Sequence, residues 1–179
     1  KYNCVIEDFG CIQHPQFSFL GASPDGIVVN SESKRFGRML EIKNPISRII
    51  TSIPKKMYWI QMQLQMEVCN LHECDFLETK FVEYENAYQF KNDGTFQKTF
   101  DKKQKGVILQ FNIDKKNIYE YAPLNISETD YDTWEKEQLD KHLSSNYVNT
   151  IYWKLEQISC SLVLRNKLWF KHAVLEIEK

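Results

Sequence analysis

Three charged side chains stand out by type and spacing. Asp25 lies in the turn-forming run Ser23-Pro24-Asp25-Gly26, directly before the β-branched stretch Ile27-Val28-Val29. Glu41 and Lys43 lie at alternate positions of "MLEIK", residues 39–43. Side chains alternate faces along a strand, so Glu41 and Lys43 point the same way, together with Met39. Leu40 and Ile42 are expected to point opposite, into the core. If the two segments pair side by side, the Asp25 and Glu41 carboxylates approach each other. Two carboxylates that close repel unless a cation separates them. An all-oxygen set with room for water suits Mg²⁺, with Mn²⁺ as a substitute, and the backbone carbonyl of Ile42 is a further candidate oxygen. Lys43 then falls beside the cation, where an ammonium positions an attacking water or stabilises charge on a phosphate. The chemistry implied is metal-assisted hydrolysis of a phosphodiester.

The elements that must position these groups follow from the local sequence. Residues 3–14 read as an extended segment and 17–22 as a strand. "SPDG" reads as a turn, in which Pro24 sets φ, Asp25 bonds the local backbone and Gly26 supplies a positive φ. "RMLEIK" reads as the next strand, ended by Asn44-Pro45 because proline cannot donate to a ladder. Residues 54–70 read as a helix, with Pro54 at its start. Met57, Ile60, Leu64 and Val68 are the expected core face, and Tyr58, Gln61 and Gln65 form a neighbouring polar stripe. A strand over 73–82 completes the order strand, strand, helix, strand. Further on, 105–112 and 116–123 read as a hairpin across "IDKK". A helix capped by Ser127 or Thr129 and a closing helix from Asn166 follow. Residues 149–165 show no clean period.

The 179 residues, with 42% hydrophobic and 26% charged side chains, are enough for one substantial α/β domain. No membrane partner is expected, because no apolar run reaches eighteen residues. The net charge of -1 hides a segregation. Between Lys34 and Lys56 there are seven basic residues and one acid, Glu41, whereas Glu128 to Asp140 holds six acids and one lysine. Arg48, Lys55 and Lys56 are candidate phosphate contacts on this account, against the plain reading of a solvated face. The five cysteines are odd in number and irregular in spacing, which suits a reducing, intracellular compartment better than a disulfide framework. Trp59, Trp153 and Trp169 read as core, and His14 as a loop residue.

Taken singly, "SPDG" is an ordinary turn and "EIK" an ordinary strand. Together, "GASPDGIV", "LEIKNP" and "YWIQMQLQMEV" resemble the phage-lambda-type exonuclease group, the YqaJ-like viral recombinases, within the PD-(D/E)xK nuclease superfamily. The resemblance covers about residues 17–82, and the tail is similar to versions carried by large DNA viruses. It implies a mixed sheet flanked by helices, with a catalytic core at 17–82 and a C-terminal elaboration from about 83 to 179, all in one domain. It implies that Asp25 and Glu41 hold metal, that Lys43 serves the nucleophilic water, and that Gln61 orients water or substrate. Ser23 and Tyr58 join Arg48, Lys55 and Lys56 as expected DNA contacts, and Gln63 is left to supporting the site from behind or to packing. The implied activity is 5′→3′ digestion of linear double-stranded DNA, leaving 3′ single-stranded tails for recombination, repair or genome processing. A structure- or sequence-selective endonuclease and a non-catalytic DNA-binding module of the same fold are the alternatives. A single-strand annealing protein and a ring-shaped trimer are the partners the family suggests, and host cytoplasm or a viral replication site is the implied location. An upstream helix supplies a further acid in the family and is expected to be missing here; Glu7 and Asp8 lie in the right direction but in an extended segment.

Overall fold

Residues 3–143 and 146–178 are described by a computed structural model. Short strands come first: β1 (Ile6–Glu7), β2 (Ile12–Gln13), β3 (Gly21–Ala22) and β4 (Gly26–Val28). They are followed by β5 (Met39–Lys43), α1 (Lys56–Val68), β6 (Glu73–Glu83), α2 (Ala87–Asn92), β7 (Lys105–Ile113) and β8 (Lys116–Tyr121). The chain closes with α3 (Glu128–Lys141), β9 (Asn146–Leu164) and α4 (Lys167–Ile177). Among the described residues no helix is long and apolar enough to cross a membrane.

The chain sorts into two compact units, residues 1–79 with 158–179, and residues 80–157. The first crossing between them lies inside β6, and the end of β9 and α4 belong to the first unit.

In the first unit the strand order is β1-β4-β5-β6-β9, with β2 and β3 as a separate ribbon. β4 pairs antiparallel with β5, and β5 pairs parallel with β6, with Met39 opposite Cys74 and Lys43 opposite Glu78. A parallel pair needs a crossover, and α1 supplies it. The mixed α/β class and the strand–strand–helix–strand order are those expected. The buried face of β5 is the reverse of the expectation. Met39 and Glu41 are buried, whereas Leu40 and Ile42 are only half-buried. The reason is α1, whose Met62 and Met66 pack on Met39, Cys74 and Phe76 from that side. α1 itself is turned from the face its apolar spacing suggests. Met57 is 66% exposed, while Gln63 and Gln65 are buried with Met62, Met66 and Val68.

Gly26 does not have the positive φ expected of it. Its need for a bare Cα is instead a close approach: a Cβ there would lie 2.3 Å from Ile6 Cγ2 on β1. The carboxylates of β6 neutralise part of the basic cluster. Arg38 donates to Glu73 at 2.5 Å and to Asp75 at 3.2 Å, and Arg35 also pairs with Asp75. His14 is a packing residue. Its Nδ1 accepts from the N–H groups of Gln16 and Phe17 at 3.0 and 3.2 Å, and its ring lies 6.0 Å from Phe170.

In the second unit the order is β6-β9-β7-β8. β7 alternates strictly, burying Lys105, Val107, Leu109 and Phe111. The β7–β8 hairpin turns on Asp114 and Lys115, both left-handed (φ 50° and 65°), the backbone that matches strand twist in a two-residue loop. Ser127 caps α3 by accepting from Asp130 N–H at 3.0 Å, as expected. Lys105 is buried, which pulls its pKa below the ordinary lysine value. Its Nζ donates to the carbonyls of Phe90 and Asp93, closing the end of α2. The irregular stretch 149–165 falls in the nineteen-residue strand β9 up to Leu164, and the short helix α2 had no sequence forecast.

Candidate active site

β5 delivers Glu41 and Lys43 to one face, the face covered by α1. Glu41 is 1% exposed, so its charge must be matched by donors. Lys43 Nζ lies on Oε1, and Gln61 Nε2 donates to the same oxygen at 2.7 Å. Gln65 Nε2 donates to Oε2 at 2.9 Å. Gln61 and Gln65 are four residues apart on α1 and therefore share a helix face. Gln65 Nε2 is also 3.5 Å from the carbonyl of Ser23, so one amide touches both the acid-bearing strand and the "SPDG" turn. Its own Oε1 is buried with no hydrogen-bond partner among the described residues.

Asp25 is exposed at the mouth of β4, and its Oδ2 accepts the Ile42 N–H at 2.6 Å. That bond ties the turn to β5 one residue from Glu41. At Ile42 it is the amide N–H that meets Asp25. The contact of Asp25 with β5 is therefore to the backbone beside Glu41.

Tyr58, on the first turn of α1, packs its ring 5.9 Å from Phe76. Lys43 Nζ and Arg48 Cζ lie over that ring, 5.4 and 5.3 Å from its centroid. Arg48, expected as a phosphate contact, keeps only an edge of its side chain exposed. Its guanidinium is turned in and paired with Glu78 of β6, because a buried carboxylate draws the nearest cation. Lys55 and Lys56 are exposed at the start of α1. Ser23 is exposed as well, and its hydroxyl donates to the Gly10 carbonyl at 3.0 Å. Asp8 caps the Gly10 N–H at 2.8 Å and Glu7 lies in β1, paired with Ile27. Gln63 points away from the site, donating to the Leu164 carbonyl at 3.0 Å and accepting the Asn166 N–H at 2.6 Å. Gln65 and Glu78 are the residues sequence reasoning did not assign. The i, i+4 spacing from Gln61 was a usable signal for Gln65; Glu78 had none, since only the β5–β6 register places it.

The donor set fits a hard divalent cation. Asp25 and Glu41 offer carboxylate oxygens and the turn offers carbonyl oxygens. Among the described residues no three His, Cys, Asp or Glu side chains converge on a metal-sized site. Hard divalent cations take carboxylate and carbonyl oxygens, the donor types that Asp25, Glu41 and the turn carry.

Comparison with known proteins bears on the same residues. The model of the YqaJ-like viral recombinase domain matches residues 1–72. An uncharacterized protein of Acanthamoeba polyphaga mimivirus is 32% identical over 211 residues, an alignment covering 97% of this chain and 38% of that protein. The chain therefore spans well under half the length of that relative. Among solved structures, an alkaline exonuclease from Laribacter hongkongensis is similar at 20% identity, covering 79% of this chain and 56% of the other, with a TM-score of 0.37. The same enzyme in complex with dAMP is similar at 22% identity and the same TM-score of 0.37. Residues 1–72, the segment that carries Asp25, Glu41, Lys43, Gln61 and Gln65, are thus similar to the YqaJ-like viral recombinase domain.

Proposed function

We propose that this chain is a Mg²⁺-dependent nuclease that hydrolyses phosphodiester bonds of linear double-stranded DNA from the 5′ end, leaving 3′ single-stranded tails for recombination or repair of a viral genome. The observation that carries this reading is the Glu41 carboxylate, buried at 1% exposure and met by one lysine and two glutamines, beside an exposed aspartate bonded to the next residue of its own strand. A purely structural strand gains nothing from such an arrangement, since an apolar residue at position 41 avoids the desolvation cost.

Asp25 and Glu41 are the residues that would hold the cation, which when bound would supply Lewis acidity and a lowered pKa for water. Lys43 orients the water and offsets charge building on the phosphate. Gln61 and Gln65 hold the Glu41 carboxylate in one rotamer, a positioning task in which small displacements are costly. Lys55 and Lys56 suit sequence-independent contacts to the DNA backbone. Assembly into a ring and a role beside a single-strand annealing protein, in a reducing intracellular compartment, belong to the same reading. The resemblance also suggests them.

The test is digestion of end-labelled linear duplex and of covalently closed circular DNA with Mg²⁺, by wild type and Glu41→Ala. Loss of linear but not circular DNA, abolished in Glu41→Ala, is the expected result. Equal loss in both proteins sinks the catalytic assignment, and cutting of the circle redirects it to an endonuclease.

A further inference from the structure

Lys43 has a neighbour across the strands that the reaction as described leaves unused. β5 and β6 are parallel, and Lys43 stands opposite Glu78. Residues in register on parallel strands share a face, so Glu78 lies on the face of Glu41 and Lys43. It is fully buried. Its Oε1 accepts from Arg48 Nη2, while its Oε2 and Arg48 Nε are both buried with no hydrogen-bond partner among the described residues.

An ion pair short of one hydrogen bond on each side is a poor stabiliser. Desolvating two charges costs several kcal/mol per ion, and unsatisfied atoms add to that, so an apolar pair of similar volume is commonly as stable or more so. What the pair does achieve is placement. It holds the guanidinium over the Tyr58 ring at 5.3 Å, where Lys43 Nζ also lies at 5.4 Å. The Arg48 side chain keeps 15% exposure, an edge that a ligand can reach. Each cation has one carboxylate beside it, Glu41 for Lys43 and Glu78 for Arg48, and the planar guanidinium edge that Glu78 leaves open suits phosphate oxygens.

We propose that Glu78 is a positioning residue for phosphodiester cleavage: it holds the Arg48 guanidinium over Tyr58, beside Lys43, where Arg48 contacts a non-bridging oxygen of the substrate phosphate. The proposal rests on the nuclease reading above. Arg48 is the group that touches substrate, and Glu78 acts through it.

The experiment compares wild type, Glu78→Gln, Glu78→Asp, Arg48→Met and the Glu78→Gln/Arg48→Met double variant of the full chain. Single-turnover cleavage of a labelled duplex is measured, with duplex Kd measured in Ca²⁺ and thermal midpoints as a folding control. Glu78→Gln is expected to slow cleavage on the order of 10²-fold with little change in Kd. Glu78→Asp, which keeps the charge, is expected to recover part of that loss. The double variant should be no slower than Arg48→Met alone, because Glu78 works only through that side chain. A phosphorothioate at the scissile position should slow wild type more than it slows Arg48→Met. Wild-type rates in folded Glu78→Gln, or losses that add in the double variant, overturn the proposal. If wild type itself cleaves nothing, the nuclease reading fails on that result. The inference is then judged by the Arg48 side-chain ¹⁵N resonances on titration with a 5′-phosphorylated dinucleotide. A shift in wild type that is lost in the Glu78 variants supports it, and unmoved resonances overturn it.

Discussion

Gln65 stands one helical turn beyond Gln61 on α1, and the two amides take opposite oxygens of one buried carboxylate, Oε2 at 2.9 Å and Oε1 at 2.7 Å. Each oxygen of Glu41 thus has a neutral donor, in addition to the ammonium of Lys43. Gln65 also reaches the Ser23 carbonyl, so it spans the two segments that carry the acids.

Replacing Gln65 by Leu leaves Oε2 of a buried carboxylate without its amide. A loss of about 1–3 kcal/mol in unfolding free energy is expected, the usual cost of orphaning a buried acceptor. Denaturant unfolding measures it. Mn²⁺ binding followed by electron paramagnetic resonance should weaken in the same variant, because Glu41 is freed to turn. Unchanged stability and unchanged Mn²⁺ affinity would show that the amide is idle.

Gly26 provides a purely steric prediction. A methyl at this position meets Ile6 Cγ2 at 2.3 Å, so β1 must shift away from β4. Gly26→Ala is expected to cost about 1–3 kcal/mol, as overpacking commonly does. Gly26→Ala with Ile6→Ala should recover part of that, since the obstructing methyl is gone. Denaturant midpoints of the two variants check this, and no recovery would place the strain in the backbone.

Asp93 contributes to the acid sensitivity of the second unit. Burial raises its pKa, but hydrogen bonds from Phe100 N–H, Tyr84 hydroxyl and Lys154 outweigh it and hold the carboxyl at about 2, below its ordinary 3.8. A depressed folded-state pKa means stability that is present above about pH 4 and lost as pH falls toward 2. The contribution is about 1–2 kcal/mol after allowance for the part of the side chain that water reaches. Asp93→Asn should therefore show a shallower fall in stability than wild type between pH 4 and 2. Parallel curves would remove Asp93 from the account.

Legibility in the sequence varied with how local the signal was. "SPDG", "EIK" and the Tyr58–Gln61 spacing sit within a few residues each, and the strand–strand–helix–strand order could be read from them. The hairpin at Asp114-Lys115 and the Ser127 cap are local too. The faces were harder to read. The apolar spacing from Met57 placed Val68 in the core but missed the most buried stripe of α1, where Gln65 meets Glu41 beside Met62 and Met66. β9 showed no period because few of its nineteen residues are buried on either face. Three of the basic residues between 34 and 56 are neutralised by Glu73, Asp75 and Glu78, acids supplied by a strand thirty to forty residues away. No composition window could show that pairing.

Gln63 binds Leu164 and Asn166, partners 101 and 103 residues further along the polymer. During translation the whole of residues 80–157 emerges before those partners exist. A nascent polypeptide on the ribosome can thus carry Asp25, Glu41 and Lys43 well before the contacts that seat α1 against the end of β9 can form.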